Sequence, residues 1–138
     1  MMEPPILAID PGREKCGVAV LEQGKNVLWH GVVPTAELMP ISLGLLQQYA
    51  FRTVILGNQT FSGEIRQRLQ PLLDQEPVAD IIFVDERGTT EAARTRYWQA
   101  CPPTGWRRFL PLGLLAPPCA IDDFAAIILG ERFLTKKS

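Results

Sequence analysis

Apolar residues in this chain fall into short runs separated by turn-forming residues. The first run, at positions 6–9, ends at Asp10-Pro11-Gly12, and a second run occupies positions 17–21. This pattern predicts two strands joined by a tight turn, with a carboxylate at the end of the first strand. A third run at 27–33 follows the turn at 22–26 and predicts an antiparallel third strand.

The middle of the chain alternates between helical and strand patterns. Pro40 suits the first turn of a helix. The apolar face of that helix comprises Leu43, Leu45, Leu46, Tyr49 and Ala50. The continuously apolar run Thr53–Gly57 predicts a strand buried on both faces. Thr60 or Ser62 is a candidate cap for a second helix that ends before Pro77.

The last part of the chain predicts one more strand and two helices. The strand is the apolar run at 81–84, and a helix capped by Thr89 or Thr90 runs to about position 99. Prolines and glycines at 100–119 predict a long loop, after which a final helix covers about 122–133. Hairpin-type strands followed by alternating helices and strands predict an α/β fold, with a mixed sheet and helices on both faces.

The composition fits one compact domain over residues 1–138, since 46% of the residues are hydrophobic. The net charge of -1 excludes a purely electrostatic nucleic-acid binder but leaves a local basic patch open. Three cysteines without metal-ligand spacing indicate a reducing compartment, and His30, the one histidine, is interpreted as an ordinary strand residue. With no leader pattern and no run that can cross a bilayer, we expect a cytoplasmic protein.

Carboxylates at strand ends are the candidate chemistry. In sheets of this kind, functional groups collect at the carboxyl ends of the central strands, where Asp10, Asn58 and Asp85-Glu86 fall. Asp122 and Asp123 begin the final helix, where the macrodipole favours an anion. Oxygen ligands select hard cations such as Mg²⁺ or Mn²⁺. Two such ions activate a water and stabilise the leaving oxygen in phosphodiester hydrolysis.

Each carboxylate also has an ordinary interpretation. Asp122 can act only as a helix cap, and Asp10 can form only an Asx turn into Pro11-Gly12. Glu86 can pair locally with Arg87 at the surface. Because all three fall where one site is expected, their joint placement favours the site.

Cations and hydroxyls near the same strand ends are the candidate substrate contacts. They are Lys15, Arg87, Thr89, Thr90, Arg107 and Arg108. Trp106-Arg107-Arg108-Phe109 combines stacking and cationic groups, as contacts to single strands or junctions require. A solvated Lys15, threonines that only cap a helix, and an aromatic loop anchor are the alternatives. Arg94 and Arg96 are interpreted as an extension of a basic rim.

Four segments together resemble the YqgF (RuvX-type) family, in the same order and over nearly the whole chain. They are Asp10-Pro11-Gly12 with Gly17-Val18-Ala19, Val54-Ile55-Leu56-Gly57, Val84-Asp85-Glu86-Arg87-Gly88-Thr89-Thr90, and Ile121-Asp122-Asp123-Phe124-Ala125-Ala126. These RNase H-like proteins are described as Holliday junction resolvases and as nucleases that mature the 16S ribosomal RNA precursor. The resemblance implies a five-stranded sheet in the order 3-2-1-4-5 with acidic residues that coordinate a divalent metal.

Carried over by motif, Asp10, Glu86 and Asp122 are the implied catalytic residues and metal ligands, with Asp123 as a further ligand. The chain departs from the family in three places. Lys15 stands where the family usually has arginine, and Asn58 follows Gly57 where the family usually has leucine. The basic segment that often precedes the last helix is replaced by the apolar, proline-rich stretch 110–119. These departures concern catalysis and substrate rather than fold.

Three hypotheses follow. The first is an endonuclease dependent on Mg²⁺ or Mn²⁺ that acts on structured RNA or branched DNA by a two-metal mechanism, as a monomer or weak homodimer. The second is a catalytically weak nucleic-acid-binding or ribosome-assembly module on the same scaffold. The third is a phosphotransfer fragment, because sugar-kinase and actin-like folds also begin with an Asp-x-Gly hairpin. The chain is short for the two lobes that enclose ATP in such proteins.

Overall fold

A five-stranded sheet forms the centre of the protein. The computed structural model describes residues 3–58, 61–102, 109 and 121–137. The strands are β1 (Ile6–Asp10), β2 (Lys15–Leu21), β3 (Val27–Pro34), β4 (Thr53–Gly57) and β5 (Asp80–Val84). Their order in the sheet is β3-β2-β1-β4-β5, so the implied order is confirmed.

The register of the sheet brings three strand ends to one edge. β1 runs antiparallel to β2, with Asp10 opposite Gly17, and parallel to β4. β4 in turn runs parallel to β5. Because the carboxyl ends of parallel strands lie at the same edge, the residues that follow β1, β4 and β5 are neighbours.

Helices cover both faces of the sheet, as the sequence predicts. Their bounds are α1 (Leu38–Tyr49), α2 (Ser62–Arg68), α3 (Thr89–Ala100) and α4 (Asp122–Lys137). Alternate residues of β1 point to opposite faces, so Leu7 and Ile9 pack towards α1 and α2 while Ile6 and Ala8 pack towards α4. Burying an apolar side chain of this size contributes about 1.5–3 kcal/mol, and the sheet is thereby fixed between two cores.

Several predicted helix ends are wrong. The second helix ends at Arg68 and continues as a short 3₁₀ helix, Gln70–Asp74, because Pro71 cannot donate a backbone hydrogen bond. Its first turn follows Phe61 and carries no side-chain cap, so Ser62 does not cap it. Thr60 lies outside the described residues. Ala50 has a left-handed backbone and ends α1 rather than lining its apolar face.

The end of the chain also differs from the prediction. Gly88, in a left-handed conformation, precedes α3, and neither Thr89 nor Thr90 caps that helix. The final helix begins at Asp122 as predicted but reaches Lys137. Most of the predicted loop at 100–119 lies outside the described residues. In the part of the chain that the structure describes, no helix combines the length and apolar character needed to span a bilayer.

Candidate active site

Two carboxyl groups meet at the edge where β1, β4 and β5 end. Asp10 is the last residue of β1, and Glu86 follows the end of β5. Their carboxyl groups are close enough for the Glu86 side chain to influence the pKa of Asp10 directly. Neighbouring carboxylates disfavour each other's charged form, so a proton or a cation between them lowers the energy of the pair.

The ends of β4 and β5 fix the position of Glu86. A Cβ atom at Gly57 would overlap the Glu86 carboxyl group, so only glycine leaves room for it. The backbone N–H of Glu86 donates to Oδ1 of Asn58 over 3.3 Å, and the Asn58 N–H donates to the Val84 carbonyl over 3.1 Å. Asn58 therefore holds the segment that carries Glu86. The Glu86 side chain is buried, with 4% exposure.

The third carboxylate reaches the site from α4. A Cβ atom at Gly17 would overlap the backbone carbonyl of Asp122, so this glycine lets the start of α4 touch β2 next to Asp10. Oδ2 of Asp122 is buried without a hydrogen-bond partner among the described residues. It lies 3.7 Å from Nζ of Lys15, which balances part of its charge.

The electrostatics of Asp10 reflect this crowding. Burial raises the pKa of Asp10 to about 6, the hydrogen bond from Glu86 opposes that rise, and the charge of Asp122 adds to it. A carboxyl group in such a position holds a proton more readily than one in water. A bound cation would take the place of that proton.

The donor set fits a hard divalent cation. Asp10, Glu86 and Asp122 offer only oxygen ligands, the type that Mg²⁺ and Mn²⁺ prefer. Such an ion would neutralise the negative charge of the neighbouring Asp10 and Glu86 carboxyl groups. It would also neutralise the charge on the buried Asp122 oxygen, which has no hydrogen-bond partner among the described residues. Among the described residues, no group of three or more acidic, histidine or cysteine side chains is arranged as a ready-made metal cluster. The three predicted ligands therefore lie in the same region without forming such a cluster.

Asp123, predicted as a further ligand, makes other contacts. Its Oδ2 lies 2.7 Å from Nδ1 of His30, and its Oδ1 accepts the Phe124 backbone N–H over 3.1 Å. The His30 ring also packs on the Phe124 ring, with centroids 5.5 Å apart. Both oxygens of Asp123 are thus engaged, and its Oδ2 joins α4 to β3. His30 lies in strand β3, as predicted, and in addition contacts Asp123.

The predicted substrate contacts are only partly free for substrate. Lys15 is paired with Asp122, while Arg87 lies 3.7 Å from Asp85 and is largely exposed. Glu86 is buried rather than exposed, which does not favour the alternative of a surface pair with Arg87. Thr89 is buried and its hydroxyl donates to the Glu86 carbonyl over 2.8 Å, whereas Thr90 is exposed.

The predicted basic rim and the predicted loop arginines have different outcomes. Arg96 donates to both carboxylate oxygens of Glu131 over 2.9 Å, so it joins α3 to α4 instead of extending a basic rim. Arg107 and Arg108 lie outside the described residues, and their predicted contact with substrate stays a prediction.

Sequence reasoning missed two supports of the site. Nη1 of Arg132, on α4, donates to the carbonyls of Asp85 over 3.3 Å and Arg87 over 2.6 Å, on either side of Glu86. Thr35 donates its hydroxyl to the Gly12 carbonyl over 2.8 Å and so fixes the turn after Asp10. No local pattern in the sequence signals either contact, because each joins segments that are distant along the chain.

Comparisons with known proteins support the architecture. No protein-family model and no curated protein matches the sequence. The fold is similar to that of the Fowlpox virus resolvase, solved with its substrate Holliday junction DNA, with a TM-score of 0.61 and 13% identity over 96% of this chain and 98% of that one. It is also similar to Thermus thermophilus RuvC, with a TM-score of 0.54 and 14% identity over 91% of this chain and 90% of that one. The predicted RNase H-like α/β fold is thereby confirmed.

Proposed function

We propose that this protein is a metal-dependent endonuclease that hydrolyses phosphodiester bonds in structured nucleic acid, either four-way junction DNA or precursor 16S ribosomal RNA. One observation carries the proposal. The carboxyl groups of Asp10 and Glu86 meet at the strand ends, beside Asp122. The fold that carries them is similar to the folds of the Fowlpox virus resolvase and of Thermus thermophilus RuvC. A buried carboxylate pair is costly to maintain and therefore points to a catalytic role rather than to stability.

Asp10, Glu86 and Asp122 are the residues that would hold Mg²⁺ or Mn²⁺. When bound, a pair of such ions supplies an activated water and stabilises the charge on the leaving oxygen. Asp10, which both other carboxylates influence, would lose any proton it holds when a cation binds. Lys15 balances Asp122. Arg87, Thr90, Arg107 and Arg108 would contact phosphates of the nucleic-acid backbone.

The similarity to the Fowlpox virus resolvase favours junction DNA as the first substrate to test. That protein was solved with Holliday junction DNA. The net charge of -1 means that the surface as a whole does not attract nucleic acid, so local contacts near the carboxylates must supply binding. A branched substrate would supply several phosphates at close range to such a local patch.

The test is cleavage of a labelled four-way junction and of precursor 16S RNA with Mg²⁺, with Mn²⁺ and with EDTA. The Asp10→Asn variant should lose on the order of 10²-fold or more in rate, because it removes a charge placed at the reacting centre. Asp80→Asn is the matched control, since Asp80 is exposed at the start of β5, at the opposite end of the strand from Glu86. Equal cleavage by Asp10→Asn and the unsubstituted protein would refute the proposal.

A second candidate function is a nucleic-acid-binding or assembly module with little catalysis. It is favoured by Asn58, a neutral residue at the end of β4, and by the lack of a ready-made metal cluster among residues the structure describes. Calorimetric titration separates the two candidates. An endonuclease should show a Mn²⁺ site that Asp10→Asn abolishes, whereas a module without catalytic ions should show no such site.

A further inference from the structure

The turn between β1 and β2 is held rigidly next to the candidate site. The Gly12 carbonyl accepts the Thr35 hydroxyl over 2.8 Å and the Cys16 thiol over 3.7 Å, and the Thr35 N–H donates to the Glu14 carbonyl over 2.9 Å. Arg13 lies between these anchored residues, three positions after Asp10. The backbone that presents Arg13 is therefore fixed relative to Asp10.

An aromatic ring contacts the side chain of Arg13. Its Cζ atom lies 5.7 Å from the centroid of the Phe61 ring, and Phe61 packs partly buried against the core beneath α1 and α2. Phe61 follows the carboxyl end of β4, which lies parallel to β1. The guanidinium thus lies at the same edge of the sheet as Asp10, on its β4 side.

The other described cations at this edge already have partners. Lys15 is paired with Asp122, Arg87 with Asp85, and Arg132 donates to two loop carbonyls. Within residues 3–58, 61–102, 109 and 121–137, Arg13 forms no ion pair. A cation–π contact uses the face of the guanidinium and leaves its in-plane N–H donors available, whereas a carboxylate would occupy them.

We propose that Arg13, held on the ring of Phe61, contacts a backbone phosphate of bound nucleic acid on the β4 side of Asp10. This inference rests on the proposed function and names a contact of the same site. A planar guanidinium with free N–H donors binds a phosphate through two parallel hydrogen bonds, a geometry that a lysine ammonium does not offer. Arg13 would thus supply the bidentate contact that Lys15, as a lysine paired with Asp122, does not.

The test measures binding of a fluorescent four-way junction by the Asp10→Asn protein, which should not cut it, over a range of KCl concentrations. Adding Arg13→Ala should weaken binding about tenfold and reduce the slope of log K against log salt by about 0.9, the value for one lost phosphate contact. Arg13→Lys should keep the slope but lose part of the affinity. Phe61→Leu should weaken binding several-fold while Arg13 keeps its charge.

Arg68→Ala is the control, because it removes one positive charge from the exposed end of α2 and should leave binding unchanged. Thermal unfolding of each variant checks that the fold is retained. If Arg13→Ala binds like Arg68→Ala, the inference is overturned; if Phe61→Leu binds normally, the role of the ring is overturned. Cleavage by the unsubstituted protein is measured in parallel. If the unsubstituted protein cleaves the junction but Arg13→Ala does not weaken binding, only the inference about Arg13 is wrong. If Arg13→Ala weakens binding but the unsubstituted protein does not cleave, only the proposed function is wrong.

Discussion

Gly57 determines where the Glu86 side chain can lie, because a methyl group at position 57 would occupy the space of the Glu86 carboxyl. We expect Gly57→Ala to displace Glu86 from Asp10 and to destabilise the fold by about 1–3 kcal/mol through overpacking. Cleavage and Mn²⁺ binding should fall together. Gly63→Ala is the matched control, since nothing lies within 4 Å of its Cβ position in α2. Alanine there should leave activity unchanged and raise stability by about 0.5–1 kcal/mol.

If Gly57→Ala unfolds the protein, Glu86→Gln provides the second measurement, since it keeps the volume of the side chain and removes its charge. If a folded variant, whether Gly57→Ala or Glu86→Gln, binds metal as tightly as the unsubstituted protein, a role for Glu86 in metal binding is contradicted. Urea unfolding gives the stability of each variant, and calorimetry gives its metal affinity.

Asp122 and Asp123 are adjacent in sequence but differ in their contacts. Asp122 has a buried oxygen without a hydrogen bond among the described residues, whereas both oxygens of Asp123 are engaged by His30 and Phe124. Asp122→Asn should therefore lower Mn²⁺ affinity by about 10–100-fold or more, because it removes a ligand rather than a support. Asp123→Asn should bind Mn²⁺ almost normally and lose about 1 kcal/mol of stability with the His30 contact. The reverse pattern in a calorimetric titration would exchange their roles.

The raised pKa of Asp10 makes the stability of the metal-free protein depend on pH. Folding raises that pKa from 3.8 to about 6, so the folded state holds the proton more tightly than the unfolded state. This contribution is complete below pH 3.8 and is lost as the pH rises through about 6. The loss amounts to at most roughly 3 kcal/mol. Urea unfolding from pH 4 to 8 in EDTA should show it for the unsubstituted protein but not for Asp10→Asn; parallel curves would contradict it.

At the residue scale, the sequence predicts which residues lie at the candidate site better than it predicts which residues they contact. Asp10, Glu86 and Asp122 each stand at the end or start of an element, and the strand order brings those ends together. The Asp123–His30 contact joins residues 93 positions apart. Asp122 and Asp123 are adjacent aspartates that the sequence alone does not distinguish. No local pattern could therefore have shown that Asp123 contacts β3.

At the scale of elements, α4 connects the parts of the site. Its first residue, Asp122, lies next to Lys15. Arg132, on the same helix, donates a hydrogen bond to the loop that contains Glu86. A Cβ atom at Gly17 would overlap the Asp122 carbonyl, so α4 can only approach β2 this closely because residue 17 is glycine. The position of α4 therefore sets the position of two of the three carboxylates.

We accordingly expect Gly17→Ala to push the start of α4 away from the sheet. Since the overlap is with backbone atoms, it cannot be relieved by a side-chain rotation, and the cost should be about 1–3 kcal/mol or more. Metal affinity should fall because Asp122 moves. The control is Gly24→Ala in the β2–β3 turn, where nothing lies within 4 Å of the Cβ position. Equal melting temperatures and equal metal affinities for the two variants would show that α4 does not depend on this contact.

Element types were predictable from the sequence, but several element ends were not. The strands follow from short apolar runs, and Thr53–Gly57 has the predicted bounds. The second helix breaks near Pro71. The helical spacing of Ile65, Leu69 and Leu72 conceals this break, because Leu72 stays buried within the 3₁₀ helix just as Ile65 is buried within α2. Gly88 rather than a threonine occupies the cap position of α3, and the Thr89 hydroxyl donates to the Glu86 carbonyl.

For the whole molecule, the balance of charge limits how nucleic acid can bind. The 14 basic residues are matched by 15 acidic ones, and three of the acidic ones crowd the proposed site. The sheet order and the two packed faces place that site at one edge of the molecule. If the proposed function is correct, affinity for nucleic acid would have to come from a small set of cations and from the divalent ion, rather than from a broad basic surface.

This argument predicts a shallow salt dependence. The candidate phosphate contacts are Arg13, Lys15, Arg87, Arg107 and Arg108. If each neutralises one phosphate, log K should fall against log salt with a slope of about -4 to -5, and a shallower slope follows if Lys15 stays with Asp122. The measurement is fluorescence anisotropy of a labelled junction with the Asp10→Asn protein in EDTA, between about 50 and 200 mM KCl. A slope steeper than about -7 would require a second basic surface, and the edge of the sheet would then not be the whole binding site.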